Sequence, residues 1–64
     1  MIAPSHGILE IPLANNFSKF YVVRYNSEIE NWEVLSTPVF YDKNECDVYV
    51  ASLNEKYGNV DIKD

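Results

Sequence analysis

The chain has 64 residues, ten acidic side chains against five basic ones, a net charge of −5 and a single cysteine. Binding to a phosphate backbone needs clustered Lys and Arg, whereas Lys19, Arg24, Lys43, Lys56 and Lys63 are scattered, which weighs against nucleic acid as a partner. One cysteine gives no disulfide framework and fits a reducing compartment, and no apolar run approaches the ~18–20 residues of a membrane span.

A chain of this length is expected to form one domain, 1–64, burying only ~60% of the surface its unfolded form exposes. Nine aromatic residues, each able to bury about 150–250 Å², make a small core feasible. The first residues hold neither a basic stretch nor a continuous apolar segment, so they do not read as a secretory signal. The expectation is a soluble cytoplasmic protein with no membrane partner.

Residues 1–16 read as an extended arm or an edge strand. Pro4 and Gly7 break any early helix, while Ile8, Leu9, Ile11 and Leu13 ask for burial. Pro12 cannot donate to a sheet ladder, which favours an edge. His6 sits in this segment beside Ser5. General-base chemistry needs an imidazole held by a third group, and a segment expected to move supplies none. Asn15-Asn16 then reads as a turn.

Residues 18–41 read as a β-hairpin or meander. The run SKFYVVRY is β-branched and aromatic with no breaker. Phe20, Val22 and Arg24 share one face, and Tyr21, Val23 and Tyr25 the other. Both faces are apolar, with a lean toward Phe20 and Val22 inward. The polar residues 26–31 are too few for a parallel crossover, so the next strand, WEVLST, returns antiparallel. It places Trp32 and Val34 on one face and Glu33 and Leu35 on the other. Pro38 interrupts it, and Val39, Phe40 and Tyr41 either continue as a bent strand or form a short third one.

Residues 42–57 read as a helix. Asp42 can cap its first turn, with Glu45 reaching back and Tyr41 stapled to Cys46. Cys46, Tyr49, Val50, Leu53 and Tyr57 form one apolar stripe at helical period, with Asp47, Asn54, Glu55 and Lys56 largely off it. Gly58 supplies the positive-φ residue that ends a helix. Residues 59–63 close the chain as a last strand, with Val60 and Ile62 on one side.

The expected fold is α+β: a small three- to four-stranded, mainly antiparallel sheet with one helix packed on one face, in the order β-β-β-α-β. Two layers around one core leave the other sheet face uncovered, and that face is a candidate binding surface or dimer interface.

Chemistry is expected to be absent. Cys46 lies at a helix start, which favours thiolate, but Glu45 and Asp47 oppose it, and a place on the apolar stripe marks a buried structural cysteine. Asp42, Asn44, Glu45 and Asp47 lack the spacing and central glycine of a calcium loop. One cysteine and one histidine give no zinc spacing, and two glycines give no phosphate cradle. No catalytic residue, metal or cofactor is therefore expected, and the chain does not read as an enzyme.

The excess of negative charge lies between positions 27 and 47, where Glu28, Glu30, Glu33, Asp42, Glu45 and Asp47 face Lys43 alone. This order of short strands, one helix and a closing strand on an acidic chain is similar, in architecture and charge, to several very small bacteriophage-encoded inhibitors of host enzymes. No site is carried over from that resemblance; the small size, concentrated acids, surplus aromatics and lack of a catalytic constellation lead to the expectation of an inhibitor or regulator docking on a basic surface of a larger protein, such as a nucleic-acid enzyme. Its contact candidates are Glu28, Glu30, Trp32 and Glu33, with Tyr21 and Tyr25 on the neighbouring strand, since aromatic anchors ringed by charge suit interfaces. A homodimer or other homo-oligomeric structural protein is the alternative. A sheet-based binder of single-stranded nucleic acid, stacking bases on Phe20, Tyr21 and Tyr25, is the second.

Overall fold

The computed structural model describes residues 1–62, in the order β1 (Ile2–Pro4), β2 (His6–Pro12), β3 (Ser18–Asn26), β4 (Asn31–Phe40), α1 (Lys43–Tyr57) and β5 (Asn59–Asp61). The class is α+β with one helix, as the patterning implied. The strands divide differently from the expected order. β2, β3 and β4 form an antiparallel three-stranded sheet, and β1 pairs with β5 in a separate antiparallel ribbon. The arm therefore contributes two strands, and the expected closing strand over 59–63 ends at Asp61, with Lys63 outside the described residues.

Turn chemistry fixes the two hairpins. Asn15 and Asn16 both take positive φ, 60° and 62°, which is the requirement of a type I′ connection and one that Asn meets at little steric cost. Phe17 N–H closes that turn on the Ala14 carbonyl at 3.3 Å. In the second hairpin the Asn26 side chain accepts from Glu28 N–H at 2.9 Å, an Asx turn. Asn26 and Asn31 then pair across its base.

Pro38 is accommodated by a bulge. Val23 pairs with Val34 and Tyr21 with Val39, so residues 35–38 of β4 stand opposite Val22 alone. Proline is tolerated at a bulge on an edge strand because no ladder donor is missed there. β4 thus runs on past Pro38 to Phe40 instead of giving way to a separate third strand.

Phe20 and Val22 do face the helix. With Cys46 and Val50 they form the buried cluster, and Ile8, Leu35, Phe40 and Leu53 pack around it. Val22 and Cys46 are fully enclosed. α1 starts at Asp42, whose side chain accepts from Asn44 N–H at 2.9 Å. Among the described residues Glu45 makes no return bond, so the cap is single and not a box. Tyr41 stays 70% exposed, too open to staple Cys46. The helix ends at Gly58, with φ 77° and ψ −147°, and Gly58 N–H bonds the Asn54 carbonyl at 2.8 Å. That backbone region is essentially restricted to glycine.

Candidate interaction surface

Three regions carry the side chains singled out from the sequence. The first is the face of the three-stranded sheet turned away from α1. Strand alternation puts Leu9, Tyr21, Val23, Trp32 and Val34 there, and the cross-strand pairs are Leu9 with Tyr21, Gly7 with Val23, and Val23 with Val34. A groove of about 410 Å³ runs between Gly7, Leu9, Val23, Trp32 and Val34. Gly7 matters to its depth: a Cβ there would stand 3.4 Å from Val23 Cγ2 and 4.0 Å from Trp32 Cζ3, so any side chain would fill the groove floor.

Trp32 is 38% exposed and meets the Tyr25 ring edge to face, with centroids 5.4 Å apart. Tyr25 is itself buried. It supports the indole and offers little surface of its own. Tyr21 is half-buried, with the Lys19 ammonium 5.3 Å from its ring centre. Trp32 N–H turns to the open edge of β4, where the Asn31 side chain takes it at 2.8 Å.

The second region is the turn between β3 and β4. Glu28 and Glu30 are exposed on it, and Glu30 holds φ at 54°, uncommon for a residue with a Cβ. Glu33 is placed otherwise. Its carboxylate accepts from Asn26 Nδ2 at 2.8 Å and Arg24 Nη2 at 2.9 Å. These two bonds, Asn26's first, hold its pKa below the usual glutamate value. Of the six contact candidates, Trp32 and Tyr21 thus lie on the outer face and Glu28 and Glu30 on the turn beside it. Tyr25 and Glu33 are engaged internally.

The third region was not visible in the sequence. His6 is ordered in β2 and only 7% exposed, not part of a mobile arm. Its backbone is held from 48 residues away, and its ring meets the adjacent Ser5. The Asn54 side chain accepts from His6 N–H at 2.8 Å and donates to the His6 carbonyl at 3.2 Å, clamping both backbone groups on the free edge of β2. Ser5 Oγ lies 2.8 Å from His6 Nδ1. Tyr57 covers the imidazole at 5.5 Å between centroids. Burial, and then the Arg24 charge, depress the His6 pKa. Asn54 therefore belongs to the packed side of α1, not off it. The signal was present in the spacing, since Val50, Leu53, Asn54 and Tyr57 stand at i, i+3, i+4 and i+7.

Cys46 is enclosed, and burial, with Asp47 beside it, pushes its thiol pKa up. Among the described residues no three His, Cys, Asp or Glu side chains converge as metal ligands, and no helix is long and apolar enough to cross a membrane. A scan against protein-family models and searches of curated proteins and of solved structures found no match.

Proposed function

We propose that this chain is a non-enzymatic protein-binding module, an inhibitor or regulator that docks on a basic surface of a larger protein. The observation that carries this reading is the uncovered outer face, where the apolar groove at Trp32 adjoins the acidic turn. Trp32 joins the two, because it lines the groove and follows the turn by two residues. A half-exposed indole backed by a buried tyrosine is a rigid anchor that loses little entropy on binding. Glu28 and Glu30 at its side would steer a cationic partner and fix its register. A phage-type takeover or anti-defence protein is the form of this reading that the acidic charge of the chain fits.

The test is affinity capture from the source cell or its host with three baits: the native chain, Trp32→Ala, and the double variant Glu28→Lys with Glu30→Lys. A specific partner should be retained by the native chain, lost from both variants, and released as salt rises. The reading fails if the captured set is the same for all three baits. A second copy of the chain is the alternative occupant, favoured by the open edge of β4 beside the same groove. Sedimentation at high micromolar concentration separates the two, since a monomer there excludes the homodimer.

A further inference from the structure

On the helix side, the sheet turns polar at its far end. His6 and Arg24 are cross-strand partners, so their side chains stand next to each other on one face. A cleft of about 380 Å³ opens over them, between the β1–β2 corner, β4 and the second half of α1. That size falls within the range of small-molecule sites. Its walls are Tyr49 and Tyr57, and its floor is Leu35 and Leu53.

The polar end of the cleft is formed by the Arg24 guanidinium beside the His6 imidazole. Arg24 gives one Nη2 bond to Glu33, and among the described residues its other N–H groups have no partner. At His6, Ser5 Oγ lies closer to Nδ1, 2.8 Å, than to Asn54 Oδ1, 3.3 Å. The Ser5 hydroxyl thus bridges the His6 ring and the Asn54 side chain and holds the imidazole in place beside Arg24. The Lys56 ammonium rides 5.3 Å from the centre of the Tyr57 ring, adding positive charge at the rim of a chain that is otherwise acidic.

We propose that this cleft binds a small aromatic carboxylate, with the anionic group on Arg24 and the ring between Tyr57 and the Leu35–Leu53 floor. The spare guanidinium donors at the polar end and an apolar, aromatic body match that shape of ligand. A flat neutral ring would leave the Arg24 donors unmatched, and a bare anion would leave the floor uncovered. The site is on the opposite side of the sheet from the Trp32 groove, so it stands or falls independently of the docking reading.

Two-dimensional NMR of the whole chain, titrated with benzoate and with benzamide as its neutral counterpart, decides the matter. Benzoate should give saturable shifts at the amides of His6, Arg24, Leu53 and Tyr57. Benzamide should bind about tenfold more weakly or worse, the factor expected for losing a charge-assisted hydrogen bond. Arg24→Gln should bring benzoate down to the benzamide level. Because that change also removes the Glu33 bond, Tyr57→Ala provides a second variant at an exposed position, and it should weaken both probes alike. Absent shifts, equal affinity for the two probes, shifts centred on Leu9 and Val34, or undiminished benzoate binding in either folded variant would overturn the proposal.

Discussion

His6 and Glu33 make stability respond to acid in the same direction. Both have a folded-state pKa below the unfolded value, so the unfolded chain takes up protons first as pH falls. His6 contributes fully above its ordinary value of 6.5, and its share is lost as pH drops below that and through the folded pKa. Glu33 follows below its ordinary 4.5. Protonated His6 would face the Arg24 cation across the strands, with the Tyr57 ring above it. Urea unfolding at pH 7.5 and pH 5.5 should show a lower midpoint at the acid end, and His6→Gln should flatten that difference. Cys46 gives a simpler expectation. A fully buried thiol with a raised pKa should resist thiol reagents until the chain unfolds, so labelling should track the unfolding curve.

At the scale of elements, α1 is held to the sheet by one apolar stripe and one polar clamp. The amide of Asn54 bonds both backbone groups of His6 and receives Ser5 Oγ. Asn54→Ala would strand those groups, at a cost of about 1–3 kcal/mol, with faster hydrogen exchange at the His6 amide as the local readout. Gly58→Ala acts differently. A Cβ there meets nothing within 4 Å, so its cost, about 1–3 kcal/mol, would be purely conformational, and thermal unfolding should show it with no change in the native spectrum. These two positions also mark what the sequence could convey. Gly58 was legible because a glycine after a periodic run has one common use. The role of Asn54 was not, because its partner lies 48 residues earlier and no local pattern links them. The single cap at Asp42, where the spacing allowed a box, comes from the same limit: sequence shows which bonds are possible, and packing selects among them.

For the molecule as a whole, a core of Phe20, Val22, Cys46 and Val50 is small. Domains of this size rarely gain more than about 3–5 kcal/mol from one core. Phe20→Ala should cost about 3–5 kcal/mol, enough to leave the chain largely unfolded by circular dichroism at room temperature. The same economy explains which parts of the fold were legible. β3 and α1 are self-contained patterns, and both stand close to their expected bounds. β1 was missed as a separate strand because three residues carry no pattern of their own and gain strand geometry only through β5. The outer face was foreseeable, since one helix can cover only one side of a sheet. The cleft at His6 and Arg24 was not, because it forms where three distant segments meet.

That β1–β5 ribbon also bears on the order of folding. Ile2 pairs with Asp61, and the Met1 amine bonds Asp61 Oδ1 at 3.0 Å, so nearly the whole chain forms the loop that these contacts close. The entropy of closing it is least when the hairpins and helix have already drawn the ends together. The ribbon should therefore form after the rate-limiting barrier. Val60→Ala should raise the unfolding rate and leave the refolding rate nearly unchanged in stopped-flow measurements. The chain would then open first where its two ends meet, while the sheet and helix still hold.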